Sequence, residues 1–220
     1  MYKNHSHKNT LGRKWITIFL LSVFHLFITA CHSEDADLQT YPSIVTEFVN
    51  LTTNEQGTAT LFRNDKGTEF RIENQITDLL PNAVYRIICG YEVTDTHSIR
   101  AIIYKVGPVK ILAEQESAHC DALHVVSLWT AGDYINLHLA PMTQTGEHEW
   151  GFYHASTING NHQDTYHIEL VHRQHDDPAA YTTHLYASIY LPQLENIEKG
   201  DSIYLHIHTF EGRKTWGLKY

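Results

Sequence analysis

The 220-residue sequence lacks the short motifs that mark the common enzyme active sites. It contains no G-x-S-x-G, H-E-x-x-H or C-x-x-C pattern and no glycine-rich loop of the kind that cradles phosphate. Ser127, His138 and Asp133 can be assembled into a triad on paper, but a chain with 17 histidines allows many such sets. Glu147 and Glu149 lie in a predicted turn, where solvated charge is the ordinary state of a carboxylate. The sequence therefore predicts a protein without catalytic activity.

Positive charge is scarce as well. The chain has 16 Lys and Arg residues against 25 Asp and Glu residues, which gives a formal net charge of −9 with neutral histidines. A surface this acidic repels the phosphates of nucleic acids. We therefore expect no nucleic-acid partner.

Cysteine is limited to three residues, and only Cys89 and Cys120 lie in the predicted folded part. Cys89 falls within the apolar strand AVYRIICGYEV and Cys120 within a polar linker. We expect both to be free thiols. The alternative is a disulfide formed in an oxidising periplasm.

Long apolar runs are absent except at the N-terminus. Trp15 to Ala30 form a 16-residue apolar stretch that follows Lys3, Lys8, Arg13 and Lys14. A membrane-spanning helix needs about 20 residues, so the run is short for that role and has the flanks of a signal peptide. It ends in Ile28-Thr29-Ala30-Cys31, which resembles the lipobox of bacterial lipoproteins.

That resemblance implies cleavage before Cys31 and covalent acyl groups on it, so that a lipid is the membrane anchor and no other cofactor is expected. The alternative is an ordinary buried thiol. Glu34, Asp35 and Asp37 follow at once. They resemble the export signal of surface-exposed lipoproteins in Bacteroides-type bacteria, and the alternative is a solvated tether. The expected location is the outer membrane, with the protein facing the periplasm or the cell surface.

The rest of the chain alternates apolar and polar residues in short runs, which is typical of an all-β protein. Five strands with a helical turn at 76–80 predict a small OB-like barrel. Seven longer strands predict an antiparallel β-sandwich. The predicted organisation is a signal peptide at 1–30, an acidic tether at 31–42, the barrel at 43–113 and the sandwich at 121–220.

Three stretches carry a family resemblance: DYINLHLAPMTQTGEHEWGFYH, ELVHRQHDDPAAYTTHLYASIYL and GDSIYLHIHTFEGRKTWGLKY. They resemble the C-terminal sandwich domain of the NigD-like lipoproteins of Bacteroides-type bacteria. The first half resembles the N-terminal OB-type domain of the same family. The resemblance implies the fold and anchor above and a bacteriocin-associated or immunity-like role, and it transfers no catalytic residue.

Twelve histidines fall between His119 and His208, which raises the question of a metal site. His172, His175, Asp176 and Asp177 form the densest group and could supply nitrogen and oxygen ligands. The preferred interpretation is structural: Asp177 caps a helical turn that begins at Pro178. We therefore predict no metal.

Tyrosine and histidine also recur on the polar faces of three predicted strands, because successive side chains of a strand point to opposite sides. These strands read DYINLHLA, THLYASIYL and DSIYLHIHTF. If they are neighbours, they form one platform for a protein or glycan partner. The alternative is that such rings simply cover a half-wet face. The candidate binding residues are Tyr134, His138, His184, Tyr186, Tyr190, Tyr204, His206 and His208.

The sequence thus favours a binding or interaction module. The alternatives are a structural or accessory lipoprotein of the envelope and a glycan- or metal-binding protein that uses the Tyr/His face.

Overall fold

The structure, a computed structural model, describes residues 42–160 and 163–220. The predicted signal peptide, Cys31 and the acids of the tether lie outside these residues. Residues Ser43–Tyr220 form one compact unit that contains both the barrel and the sandwich. No helix in the described part of the chain has the length and apolar character needed to cross a membrane.

The first five strands close into a barrel. Their order is β1-β2-β3-β5-β4, in which β4 pairs with β1 and β3 runs parallel to β5. This confirms the predicted OB-like barrel. The strands are β1 (Val45–Thr53), β2 (Ala59–Asn64), β3 (Glu69–Ile72), β4 (Val84–Asp95) and β5 (Arg100–Pro108).

Aromatic rings fill the barrel. Phe62 stacks on Phe70 with ring centroids 5.0 Å apart, and the Tyr91 ring lies 4.7 Å from that of Phe62. Phe62 is fully buried. Burying such a side chain contributes about 1.5–3 kcal/mol. The Asn64–Gly67 turn joins β2 to β3 as the sequence predicts, with Gly67 at a φ of 86°.

The remaining strands form two four-stranded sheets and one two-stranded sheet. The inner sheet, which faces the barrel, has the order β6-β13-β8-β7, and the outer sheet has the order β10-β11-β14-β15. The strands are β6 (Lys110–Leu112), β7 (His124–Ala131), β8 (Tyr134–Ala140), β9 (Met142–Thr143), β10 (Glu149–Ile158), β11 (Thr165–Arg173), β12 (Tyr181–Thr182), β13 (Leu185–Tyr190), β14 (Ser202–Thr209) and β15 (Gly212–Lys219).

Leucine and isoleucine from both sheets build the sandwich core. Ile135, Leu137 and Leu139 of β8 are fully buried and share one cluster with Ile203 and Leu205 of β14. The predicted inward faces of these strands are therefore correct. Two pairs, β6 with β13 and β11 with β14, run parallel within the otherwise antiparallel sandwich.

The chain passes from the barrel to the sandwich at Pro108–Val109. The sequence predicts one strand across residues 99–112, but β5 ends there and β6 pairs with β13 of the inner sheet. Residues 110–112 thus lie in the sandwich, although the prediction groups them with the barrel. The polar segment that follows lies along the outer sheet, because Glu114 forms a β-bridge with Phe152 and Cys120 forms one with His172.

Both predicted helical turns are wrong. Residues 76–80 are irregular, with a bend at Asp78 and Leu79 in which Asp78 has a φ of 63°. Their backbone groups bond to the β1–β2 loop instead of to each other: Ala59 N–H donates to Ile76 O, and Leu79 N–H to Gly57 O. Residues 178–180 form a tight turn in which Ala180 N–H donates to Pro178 O, and Tyr181 begins strand β12, which pairs with β9.

Candidate functional site

The predicted Tyr/His platform is divided between two sheets. On β8 and β13, Tyr134 lies opposite Tyr190 and His138 lies opposite Tyr186. Strand β14 pairs with β11 and β15 in the outer sheet. The prediction that all three strands form a single face is therefore wrong. Two groups result: Tyr134, His138, His184, Tyr186 and Tyr190 on the inner sheet, and Tyr204, His206 and His208 on the outer sheet.

In the outer group, two of the rings pack against a neighbouring histidine of the same sheet. His167 of β11 stacks on Tyr204 at 5.3 Å and on His206 at 5.5 Å, with interplanar angles of 16° and 9°. His206 also accepts or donates a hydrogen bond at 2.8 Å with the Thr215 hydroxyl. Burial lowers the pKa of His206, and the nearby Arg213 lowers it further. His167 thus covers part of the ring faces of Tyr204 and His206 on which a sugar could stack.

The barrel covers one end of the inner group through Arg86 of β4. The Arg86 side chain is 2% exposed and donates two hydrogen bonds to the Asp65 carboxylate, at 2.5 and 2.7 Å. It also donates to Asn136 Oδ1 at 2.9 Å and to Ser188 Oγ at 3.4 Å, across the junction. The guanidinium lies 3.9 Å from the centre of the Tyr134 ring. A paired, ring-stacked arginine therefore fastens the barrel to the sandwich.

The other end of the inner group remains open as a cleft between barrel and sandwich, here called the junction cleft. It consists of two adjoining cavities of about 520 and 430 Å³, which share Thr46, Ile88 and Tyr186 as lining residues. Ile44, Tyr104, Lys105, Pro108, His184 and Leu185 help to line the first cavity. Phe48, Lys66, Ser127, Trp129 and His138 help to line the second.

Aromatic contacts fix the walls of the junction cleft. The Phe48 ring meets Trp129 edge-on at 5.3 Å and Tyr186 edge-on at 5.9 Å. The His138 ring stacks on Tyr186 at 4.5 Å, and its Nε2 lies 2.9 Å from Nδ1 of His184. These contacts join one barrel residue to two sandwich strands, so the wall is a built surface and not a loose edge.

His138 of the junction cleft carries little charge at pH 7. Burial lowers the pKa of His138, and the neighbouring His184 lowers it further. A hydrogen bond between two imidazoles needs one proton on one of the facing nitrogens. A neutral His138 therefore presents a flat, weakly polar ring to the cleft at pH 7.

A second cluster lies buried in the sandwich and includes His148, which the sequence analysis missed. His172 Nε2 lies 2.9 Å from Nδ1 of His148, whose Nε2 lies 3.0 Å from the Asp177 carboxylate. His172 Nδ1 donates to the carbonyl oxygen of Asp121. The Trp150 ring stacks on His172 at 4.1 Å.

Counting protons assigns a charge to this cluster. The chain of three hydrogen bonds ends in an acceptor on each side, a carbonyl oxygen and a carboxylate, so three protons occupy four ring nitrogens. One imidazole is therefore an imidazolium. Burial lowers the pKa of His172, and the second ring, His148, lies beside the Asp177 carboxylate.

Asp177 matches that positive charge. Burial alone would raise its pKa, but donors from the Thr143 hydroxyl and the Gln144 and Thr145 backbone outweigh it and lower the pKa below the ordinary value. Asp177 thus caps the loop after β9 and not a helix of its own.

The metal interpretation of His172, His175, Asp176 and Asp177 does not fit the geometry. Both ring nitrogens of His172 are used in the buried cluster, and His175 lies 3.6 Å from Glu149 on the surface. Within residues 42–160 and 163–220, no three His, Cys, Asp or Glu side chains converge on a possible metal position.

The hypothetical catalytic triad of Ser127, His138 and Asp133 is not assembled either. Asp133 bonds to Lys199 and Tyr220, whereas His138 bonds to His184. Glu149, the other candidate acid, is paired with Arg173 at 2.6 Å.

Cys89 and Cys120 are free, as expected. Burial raises the pKa of Cys89 to about 12 and that of Cys120 to about 11. Both thiols are therefore protonated and unreactive near neutral pH.

The comparisons with known proteins agree with this architecture. The model of the NigD-like C-terminal beta sandwich domain matches residues 107–220. No curated protein matches the sequence.

Crystal structures share the fold of the chain. A NigD-like immunity protein from Bacteroides caccae is 21% identical over 80% of this chain and 92% of its own, with a TM-score of 0.60. A candidate toxin-related protein from Parabacteroides distasonis is 17% identical over 80% and 93%, with a TM-score of 0.67. A candidate lipoprotein from Bacteroides fragilis is 14% identical over 80% and 98%, with a TM-score of 0.59.

Proposed function

The chain belongs to the NigD-like family, and from that membership we propose that it is a non-enzymatic, lipid-anchored binding protein of the outer membrane. The junction cleft is its binding site. Cys31 carries the acyl groups, and Glu34, Asp35 and Asp37 belong to the segment that connects this anchor to the barrel. The anchor rests on the lipobox-like sequence, since these residues lie outside the described structure.

The junction cleft is the observation that carries the proposal. Ligand sites are concave, mostly apolar and aromatic, about 300–1,000 Å³ in volume, and common where two parts of a fold meet. The two cavities, at about 520 and 430 Å³, fall within that range. Arg86, which Asp65 holds in place, donates to Asn136 and Ser188 of the sandwich and so holds the two walls in a fixed relation, which reduces the ordering that a partner must impose on binding.

The surface that OB barrels commonly use for binding supports the proposal less than the junction cleft does. That face lies on strands 2 and 3 and the adjoining loops. Here its outward residues include the ion-paired Arg63 and Glu69, and the loop sequences NEQGT and DTHSI contain no Phe, Tyr or Trp on which a base or sugar could stack. Together with the net charge of −9, this supports a protein partner and opposes a nucleic acid.

The most specific form of the proposal is immunity to a bacteriocin. One similar structure is that of a NigD-like immunity protein, and another is that of a candidate toxin-related protein. An immunity protein acts by binding and needs no catalytic group, which agrees with the unassembled triad described above.

Affinity capture with the chain lacking residues 1 to 31 tests the proposal. Thr46 is exposed and lines both cavities, so Thr46→Trp fills the cleft without removing a core contact. Thr60→Trp makes the same change on an exposed position of β2 and is the matched control. A partner retained by the wild type and by Thr60→Trp but lost by Thr46→Trp supports the proposal. Equal retention by all three would reject the cleft as the site and favour an accessory envelope role.

A further inference from the structure

The buried hydrogen bonds through His148 and His172 join three segments that are far apart in the sequence. His172 lies on β11 and bonds to the carbonyl oxygen of Asp121, in the segment that follows β6. His148 lies in the loop before β10, and its Nε2 bonds to Asp177, in the loop after β11. His172 is fully buried, and the side chains of His148 and Asp177 are 2% and 4% exposed. These four residues are here called the histidine clamp.

Only one number of protons satisfies the histidine clamp. With three protons on the four ring nitrogens, each of the three contacts joins a donor to an acceptor. With two protons, one contact brings two acceptors together. With four protons, the facing nitrogens of His148 and His172, 2.9 Å apart, both carry a hydrogen, and two positive charges adjoin in the interior. Either change leaves a buried polar group without a partner, which destabilises the folded state.

Other charged groups near the histidine clamp have partners of their own or face solvent. The Asp121 carboxylate accepts from the Gln174 backbone N–H and lies 3.1 Å from Nε2 of His119. The inner-sheet side chains that share the core with Trp150 are apolar. Titratable side chains on the adjoining loops and strand ends are exposed or paired at the surface: Glu147, Glu149, Arg173, His175, Asp176 and His208. Asp177 is therefore the carboxylate that balances the excess proton of the clamp.

We propose that the histidine clamp makes the closure of this end of the sandwich depend on pH, so that the end is closed most firmly at about pH 6.5 and loosens on both sides of that value. The three joined segments separate when the clamp gains or loses a proton. This device lies in the sandwich and does not depend on the partner of the junction cleft.

The unfolded chain holds a different number of protons on these two rings. Exposed imidazoles have a pKa of about 6.5, so the unfolded rings hold four protons in acid and two in alkali, whereas the folded clamp holds three. Unfolding thus takes up protons below about pH 6.5 and releases them above it, and stability falls in both directions. In the folded chain, burial lowers the pKa of His172 and outweighs the hydrogen bond to Asp121, which raises it, so the fourth proton is resisted.

Asp177→Asn tests the proposal, because an amide can donate to Nε2 of His148 and so satisfy a clamp with two protons. Urea unfolding is measured at pH 6.5 and at pH 8. Between these values, we expect the unfolding equilibrium constant of the wild type to rise about tenfold or more relative to that of Asp177→Asn, since one proton per molecule corresponds to about tenfold per pH unit. Asp176→Asn removes the same charge from the neighbouring exposed residue and should follow the wild type.

Amide hydrogen exchange, corrected for the intrinsic rate at each pH, locates the effect. His172 N–H donates to the carbonyl of His119, and Asp121 N–H donates to that of His172. These two amides should open more readily at pH 8 than at pH 6.5 in the wild type, but not in Asp177→Asn. If Asp177→Asn does not fold, His148→Gln replaces it with the same expected result. A ratio of unfolding constants that is equal at both pH values, or an alkaline loss of protection that the variant retains, would overturn the proposal.

Discussion

Asp65→Asn removes one charge from the junction and almost no volume. Asp65 lies in the β2–β3 turn of the barrel, its side chain is 11% exposed, and both of its oxygens accept from Arg86. The substitution leaves a guanidinium that is 2% exposed without its counter-ion. Breaking a buried ion pair costs about 3–5 kcal/mol. We expect about 3 kcal/mol, the lower end, because Asn136 and Ser188 still accept from Arg86.

A double-mutant cycle isolates the pair from these remaining contacts. Arg86→Met leaves Asp65 as a buried carboxylate, whereas the double variant with Asp65→Asn leaves neither charge. The double variant should therefore be more stable than the sum of the two single effects predicts, by about 1–3 kcal/mol. Glu69→Gln is the control, because its partner Arg63 is 58% exposed and such surface pairs contribute about 0–1 kcal/mol.

Urea unfolding followed by tryptophan fluorescence measures these differences, since Trp129 lies on the wall of the junction cleft. Far-UV circular dichroism provides a second, independent probe of the same transition. An Asp65→Asn cost no larger than that of Glu69→Gln, or strictly additive single effects, would show that the buried Arg86–Asp65 pair stabilises the protein no more than an exposed ion pair does.

Three further predictions follow from the same structure. Nitrogen-15 NMR at pH 7 should show three protons on the four ring nitrogens of His148 and His172, whereas two singly protonated rings would contradict the proton count. Cys89 and Cys120 should resist a thiolate-specific disulfide reagent at pH 8 until guanidinium unfolds the chain, because their raised pKa values keep them protonated; rapid native-state labelling would refute this. Gly132→Ala should cost about 1–3 kcal/mol, because φ is 57° and an added Cβ would lie 2.7 Å from the Asp65 carbonyl oxygen. Gly146→Ala, with a φ of 80° and open space, should cost less in the same thermal-unfolding comparison.

The strands and their inward faces could be predicted from the sequence because alternation is a local property. The period of two assigned Leu137 and Leu205 to the core correctly, and the Asn64–Gly67 turn identified its hairpin. Alternation states which way a side chain points but not which strand lies beside it. Placing Tyr204 and His206 with Tyr186 failed for that reason, since β14 belongs to the outer sheet.

The site residues that the sequence analysis missed act through contacts with residues far away in the sequence. Arg86 interrupts an apolar strand, which signals a buried partner, but nothing local identifies Asp65, 21 positions away, or Asn136, 50 positions away. Asp177 has the local pattern of a helix cap, yet the donors that it satisfies belong to Gln144 and Thr145. In both cases a tertiary hydrogen bond decides the role of the residue, and the sequence pattern describes only its neighbours.

Site-specific photo-cross-linking tests the central claim most directly. A photoreactive phenylalanine analogue placed at Thr46, inside the junction cleft, is compared in intact cells with the same analogue at Thr60, on the outside of the barrel. A discrete partner adduct that forms at position 46 and not at position 60 is the predicted result. Adducts at position 60 alone, or equal and diffuse labelling at both positions, would contradict the assignment of the cleft as the binding site.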